Sequence, residues 1–174
     1  MRTEDPFALT QEAARAVYAR RPEVSAALDT VRAAMRDSGT LPPRLVELVR
    51  LRVAFHNQCR SCMALRYQPD LVDEDLVCSL ERPAELPGLT DAERAALDYA
   101  DRFATDHLSI DDGVRERLRA YFDEGEIVEL SMRCAMFVGF GRMAATLQLV
   151  EHLPESFREP GPVTPWGHEA VLTG

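Results

Sequence analysis

The sequence predicts an all-α fold for this 174-residue chain, and three observations support that fold class. Alanine, leucine, glutamate and arginine, which favour helices, are abundant, whereas the β-branched residues that favour strands are fewer. Apolar residues recur at helical spacing along most of the chain. No pair of alternating segments joined by a hairpin turn is present.

The first part of the chain is predicted to be a helical arm, residues 1–40. An amphipathic segment covers residues 11–20, and Thr10 is placed to act as its N-cap. A second helix follows Pro22, and the turn-forming residues 37–39 end it.

The central part, residues 41–152, is predicted to be the helical core. Its first helix, within residues 44–58, has apolar side chains on nearly every face, which is typical of a buried helix. Asn57 and Gln58 break that helix, and a new one is expected over residues 59–68.

Four more helices and an irregular tail are expected after these. A short helix covers residues 73–81, and a longer one follows a capping box formed by Thr90 and Glu93. Ser109 is expected to cap the next. The last helix covers 126–153, is apolar on every face in its middle and contains two glycines, which indicates close helix packing. The Pro-rich tail is assigned to residues 153–174.

Composition and charge exclude several classes of function. With 29 acidic and 20 basic residues the formal charge is −9, so binding to nucleic acid or an anionic membrane is not expected. All the basic residues are arginine, which excludes Schiff-base chemistry and a phosphate-loop lysine. No signal peptide and no apolar stretch long enough to span a bilayer is visible, so we expect a soluble, cytoplasmic protein.

The motif Cys59-Arg60-Ser61-Cys62 is the main candidate for chemistry. Two thiols on the first turn of a helix are close enough to form a disulfide, and the positive helix end and Arg60 favour the thiolate. The spacing alone leaves open a zinc site, in which His56 and Cys78 would join the pair, or unreactive thiols.

Glu47 is the second candidate, because a carboxylate on an otherwise apolar helix is rarely buried without a partner. It is either a general base or proton relay with a raised pKa, or the partner of an arginine such as Arg50 or Arg142. Cys134 lies in an apolar run and is expected to be a core thiol.

Glu47, Cys59 and Cys62 at these offsets resemble the alkylhydroperoxidase D (AhpD)-like family of the carboxymuconolactone decarboxylase superfamily. The resemblance covers residues 42–149. It implies a helical bundle with CxxC at a helix N-terminus, assembled as a homo-oligomer, either a trimer or a hexamer.

The resemblance also implies a peroxiredoxin-type peroxidase for organic hydroperoxides that needs no cofactor beyond its cysteines. Cys62 would attack the peroxide, and Cys59, the more exposed of the two, would resolve the sulfenic acid as a disulfide. Glu47 would serve in the proton relay. An external dithiol or thioredoxin-like reductant would restore the thiols.

This chain departs from the family pattern at two positions. The family has histidines between the two cysteines and four residues after the second, where this chain has Ser61 and Arg66. Arginine cannot relay a proton near neutral pH. Arg66, expected on the same helix face as Cys62, could stabilise a thiolate or neutralise Glu47, and His56 could replace the missing histidine.

Two other functions remain as alternatives. One is a lactone decarboxylase, whose chemistry needs no dithiol and which is expected to keep its activity when both cysteines are alanine. The other is a non-catalytic helical oligomer with silent thiols, or with zinc held by His56, Cys59 and Cys62.

Overall fold

A computed structural model describes residues 6–83, 87–159 and 172–173 of the chain. Within these ranges the elements are, in chain order, α1 (Pro6–Tyr18), α2 (Pro22–Asp37), α3 (Pro43–His56), α4 (Arg60–Ala64), β1 (Leu65–Arg66), α5 (Glu74–Ser79), α6 (Asp91–Thr105), α7 (Asp112–Arg119), α8 (Glu124–Thr146), α9 (Glu155–Arg158) and β2 (Leu172–Thr173). The all-α prediction is confirmed. No described helix is long and apolar enough to cross a membrane.

Helix α3 lies at the centre of the core, packed against α6 and α8. Its predicted burial is confirmed, since Leu48, Leu51 and Val53 are fully buried. The helix ends at His56, before the predicted break. The CxxC motif therefore begins shortly after the most buried of the described helices.

Capping side chains set where the outer helices begin. The predicted capping box of Thr90 and Glu93 starts α6. A second capping box, formed by Asp123 and Glu126, starts α8 and was missed from the sequence. Helix α7 is capped by Asp111, because its carboxylate accepts the N–H of Val114, and not by Ser109 as predicted.

The two arm helices are present, with a different start for the first. Helix α1 begins at Pro6, so Thr10 lies inside the helix as a buried residue and is not an N-cap. Helix α2 matches its prediction, but none of its residues is buried. The arm meets α8 through Tyr18 and Phe140, whose ring centroids are 6.2 Å apart. The division into arm, core and tail stays a prediction.

The helix predicted over residues 59–68 is too long, because α4 ends at Ala64. Leu65 and Arg66 are extended and pair in parallel with Leu172 and Thr173. Arg50 donates to the carbonyl of Cys62, inside α4, and to that of Leu65, directly after it. These tertiary hydrogen bonds compete with continuation of the helix.

Asn57 joins the end of α3 to α8. Its Nδ2 donates to the Phe137 carbonyl at 2.9 Å, and its Oδ1 accepts from Arg142 Nε at 3.1 Å. Gly141 makes room for this contact, because a Cβ there would overlap the Asn57 amide. Arg142 also donates to the Ala104 carbonyl, so it is not the partner of Glu47.

The C-terminal residues that the structure describes cover the dithiol helix. Leu153 and Phe157 pack in a small apolar cluster with Ala54 and Met63. Arg60 donates to the carbonyls of Phe157 and Glu159. The Arg60 guanidinium therefore binds α9 and the residue that directly follows it. Most of the tail predicted as irregular lies outside the described residues.

Candidate functional site

Cys59 and Cys62 form a disulfide, with Cα atoms 5.2 Å apart. Cys59 is the N-cap of α4, and its sulfur accepts the N–H of Cys62 at 3.4 Å. The predicted placement of the CxxC pair at a helix start is confirmed. The motif is thus built by the turn after α3, where Gln58 has a φ of 49° and reverses the chain.

The exposure of the two sulfur-bearing residues is the reverse of the expectation. Cys59 is fully buried, whereas Cys62 is partly exposed and lines a cavity. The expectation that Cys59 is the more exposed residue is therefore wrong. The physical reason is that Cys59 is the N-cap of α4 and comes only three residues after the last residue of the buried helix α3.

The cavity beside Cys62 has a volume of about 1160 Å³ and lies between the arm and the core. One wall comes from α3 and α4, through Glu47, Arg50, Ser61 and Cys62. The remaining walls come from α1, α2 and the apolar side of α8. A cavity of this size beside a sulfur atom has room for an organic substrate.

Glu47 lies in the cavity wall as a buried ion pair with Arg50. Its Oε2 accepts Arg50 Nε at 2.7 Å, and its Oε1 accepts Arg50 Nη2 at 2.7 Å and the N–H of Tyr67 at 3.0 Å. Burial alone would raise the pKa of Glu47, but Arg50, the Tyr67 N–H and the charge of Arg66 together lower it. The predicted raised pKa is wrong, and the ion-pair alternative is confirmed.

Arg50 connects this carboxylate to the dithiol segment. Besides binding Glu47, it donates to the carbonyls of Cys62 and Leu65, each at 2.7 Å. The Tyr67 ring lies over it, with 4.7 Å from the guanidinium carbon to the ring centroid. Sequence reasoning treated Arg50 only as a partner for Glu47 and missed Tyr67, for which no local signal exists.

Arg66 is not on a helix face beside Cys62, as was expected. It lies in β1, its side chain is 1% exposed, and it binds Glu74 through two hydrogen bonds of 2.7 and 3.0 Å. It also donates to the Met63 carbonyl at 2.5 Å. Arg66 therefore does not pair with Glu47, although its charge contributes to the lowered pKa of that carboxyl.

His56 does not line the cavity. Its Nε2 lies 2.7 Å from Asp101 Oδ1, and Asp101 also accepts two hydrogen bonds from Arg52. Burial would raise the pKa of Asp101, but these two partners lower it. His56 thus belongs to a charged cluster between α3 and α6, and the structure does not bring it to Cys62 as a replacement for the family histidine.

No group of three histidine, cysteine or acidic side chains suited to a metal ion is found among the described residues. The side chain of Cys78, a candidate ligand from the sequence, lies outside them. Cys134 is a buried core thiol as predicted, and burial raises its pKa to about 12. A thiol with that pKa is unreactive near neutral pH.

Comparisons with known proteins agree with this fold. Residues 22–102 match the carboxymuconolactone decarboxylase family. The chain is 25% identical over 122 residues to the uncharacterized protein YnjA of Escherichia coli (strain K12), a match that covers 68% of this chain and 65% of that protein. The chain therefore spans less than two thirds of that relative's length.

Two crystal structures share the architecture. One is a protein of unknown function from Agrobacterium tumefaciens, described as a candidate antioxidant defence protein AhpD; it superposes with a TM-score of 0.66 at 25% identity, over 84% of this chain and 96% of that one. The other is an alkylhydroperoxidase AhpD core, a peroxidase-related protein from Ralstonia eutropha JMP134, with a TM-score of 0.67 at 21% identity, over 83% and 80% of the two chains.

The family match, the shared architecture and the CxxC pair at the start of α4 agree with one another. The chain therefore has the fold of AhpD-like proteins, and its residues 22–102 are similar to the carboxymuconolactone decarboxylase family.

Proposed function

We propose that the protein is a thiol-dependent peroxidase that reduces organic hydroperoxides through the Cys59–Cys62 pair. The observation that carries this proposal is the position of Cys62, which is bonded to Cys59 and open to a cavity of about 1160 Å³. A packed, structural disulfide would need no such opening. The AhpD-like neighbours support the same chemistry.

The reaction has three steps, and the two thiols and an external reductant supply all the electrons that it needs. The Cys62 thiolate attacks the hydroperoxide, the O–O bond breaks, and sulfenic acid and an alkoxide form; the alkoxide takes a proton and leaves as the alcohol. The Cys59 thiol then attacks the sulfenic sulfur, releasing water and forming the disulfide. An external dithiol or thioredoxin-like reductant supplies two electrons and two protons and is itself oxidised to a disulfide.

The exposure of the sulfur-bearing residues supports these roles. Cys62 is the residue that a substrate in the cavity can reach, and buried Cys59 is suited to the intramolecular step. The incoming reductant is then expected to attack the Cys62 sulfur, since thiol exchange requires access to the attacked sulfur.

Glu47 and Arg50 are assigned supporting roles at the reacting sulfur. Arg50, which donates to the Cys62 carbonyl, positions the dithiol segment beside Glu47. Glu47 Oε2 accepts one hydrogen bond from Arg50 and keeps a lone pair for a proton. Its lowered pKa makes it a weak base, so its contribution to the rate is modest.

The family resemblance implies that copies of the chain associate. We further infer that they do so through α8. This 23-residue helix is apolar on most of its surface, yet only Leu130, Cys134 and Gly141 are buried. Val128 and Met132 are 57% and 47% exposed. A second copy covering this face would remove these side chains from water.

The function is tested by exposing the reduced full-length protein to cumene hydroperoxide and following the thiols by mass spectrometry. We expect the mass to fall rapidly by two hydrogens as the disulfide forms between Cys59 and Cys62. Cys62→Ser abolishes peroxide consumption, whereas Cys59→Ser leaves a sulfenic acid on Cys62 that dimedone traps. Cys134→Ser is the control and behaves like the wild type, because that thiol is buried.

Thiols that stay reduced for hours under these conditions would overturn the peroxidase. Activity on a lactone acid that survives alanine at both cysteines would instead support the decarboxylase alternative.

A further inference from the structure

The cavity has a positive lining in a chain whose formal charge is −9. Two carboxylates line it, Asp29 and Glu47, against five arginines: Arg15, Arg32, Arg36, Arg50 and Arg133. An acidic protein repels anions over most of its surface, so an excess of arginine in one cavity favours an anionic ligand at that place.

Two of these arginines are already neutralised by carboxylates, one of them buried and the other largely so. Arg50 holds Glu47, as described above. Arg133 Nε donates to Glu129 Oε1 at 2.7 Å, and its Nη2 donates to the Met35 carbonyl at 2.6 Å. These pairs are well shielded from water, so the charge available to a ligand lies on the arm helices.

Arg15 on α1 and Arg32 on α2 carry that available charge. Arg15 donates to the neutral Gln11 side chain at 3.0 Å and meets no carboxylate within the part of the chain that the structure describes. Arg32 pairs with Asp29 at 3.0 Å, but the Asp29 side chain is 67% exposed. Exposed ion pairs contribute little free energy, so an incoming carboxylate can replace Asp29.

An apolar path connects these arginines with the dithiol. The Arg32 guanidinium carbon lies 4.8 Å from the Tyr18 ring centroid and 5.5 Å from that of Phe140. At the other end of α1, Phe7 contacts Tyr67, which lines the cavity beside the dithiol. Helix α1 spans about 16 Å between Phe7 and Tyr18, from the helical rise per residue.

We propose that the cavity selects amphipathic hydroperoxides that carry a carboxylate, such as the mid-chain hydroperoxide of a long-chain fatty acid. Arg15 and Arg32 hold the carboxylate, the apolar side of α8 contacts the chain, and the hydroperoxide group reaches Cys62. The inference rests on the proposed function: the hydroperoxy acid oxidises the two thiols to the disulfide and leaves as the hydroxy acid with one water.

The test compares linoleic acid hydroperoxide with its methyl ester, both below their micelle-forming concentrations, using the reduced full-length protein. The rate of Cys59–Cys62 disulfide formation is measured by rapid quenching. We expect the acid to react about tenfold faster than the ester, a difference typical of one favourable charged contact. The Arg15→Gln/Arg32→Gln double variant brings the ratio of acid to ester close to one.

A matched control removes the same charge elsewhere on the arm. Arg20→Gln/Arg21→Gln changes two exposed arginines that do not line the cavity, and it keeps the wild-type ratio. Equal rates for acid and ester in the wild type, with cumene hydroperoxide still forming the disulfide, would overturn the inference while the proposed function stands.

A binding measurement covers the case in which no hydroperoxide oxidises the thiols. The corresponding hydroxy acid is titrated calorimetrically into the disulfide form. We expect binding that weakens about tenfold in the Arg15→Gln/Arg32→Gln variant and falls with added salt. The carboxylate site would be overturned, independently of peroxidase activity, if the hydroxy acid did not bind. It would also be overturned if neither the double substitution nor added salt weakened the binding.

Discussion

At the residue scale, the pairing of Glu47 with Arg50 decides what the carboxylate can do. A buried glutamate without a partner would have a raised pKa and would be a strong proton acceptor. Arg50 and the Tyr67 N–H instead keep Glu47 ionised, with its pKa lowered. The same arginine binds the Cys62 carbonyl, so removing either partner affects both the proton relay and the dithiol segment.

Glu47→Gln is expected to slow the oxidation of Cys62 by a hydroperoxide at neutral pH by about tenfold, less than the roughly 10²–10⁴-fold typical of proton-transfer catalysis, because the lowered pKa makes Glu47 a weak base. The loss should shrink as the pH rises, because the thiol then ionises without a base. Stopped-flow measurement of the rate between pH 6 and 9 checks this.

Glu93→Gln is the matched control for loss of a buried ion pair. Glu93 binds Arg44 at 2.7 Å, its side chain is 8% exposed, and it does not line the cavity. We expect it to lower stability and leave the pH profile unchanged. Identical profiles for the two variants would assign Glu47 to structure alone.

At the scale of elements, arginine side chains hold α4 and the segment between α4 and α6. This segment has little regular secondary structure, so many of its carbonyls lack a helical or strand partner. Arginines of α3 and β1 supply the missing donors: Arg44 to Leu71, Arg50 to Cys62 and Leu65, Arg52 to Leu80 and Glu81, and Arg66 to Met63. The planar guanidinium fork serves carbonyls and a carboxylate together.

Arg66→Met is expected to lower the free energy of unfolding by about 3–5 kcal/mol, because it leaves the Glu74 carboxylate and the Met63 carbonyl without their donor. Urea denaturation measures the loss. The rate of peroxide reduction per folded molecule should change little, since the hydrogen bonds of Arg66 go to Glu74 and the Met63 carbonyl and not to Cys62.

The exposed pair of Arg119 and Glu124 gives the comparison. Their side chains are 55% and 77% exposed, so Arg119→Met should change the stability by less than about 1 kcal/mol. A stable Arg66→Met variant that has lost peroxidase activity would instead place Arg66 in the reaction, in the role of the histidine it replaces.

At the scale of the whole molecule, α8 presents more apolar surface than the single chain covers. Val128 and Met132 stay exposed although the helix has few polar positions. The core itself lies on the opposite side, between α3, α6 and α8. An assembly through the outer side of α8 would give that helix partners on both sides.

Light scattering during size-exclusion chromatography is expected to give the mass of at least two chains, each of 19.5 kDa. Val128→Glu/Met132→Glu should shift the protein towards the single chain, because charges would be buried in the contact. Leu108→Glu, at a residue that is 84% exposed and lies outside α8, should leave the mass unchanged. A wild-type mass of one chain at micromolar concentration would contradict the proposed association.

Much of the fold could be predicted because its signals are local. The capping box of Thr90 and Glu93 and the proline that begins α2 act within one turn, so they can be recognised without knowing the rest of the chain. The length of α4 could not be predicted this way. It ends at Ala64, where Arg50, which lies in a different helix, binds the carbonyls of Cys62 and Leu65.

The all-α class, the burial of α3 and the placement of the two cysteines at a helix start could be inferred from the sequence alone, since periodicity, helix-breaking residues and motif spacing are properties of neighbouring residues. Which sulfur-bearing residue faces the cavity, and which partners Arg66 and His56 take, became known from the packed fold. Those outcomes depend on side chains distant in sequence. Burial and charge pairing are settled by the packing of all the elements together.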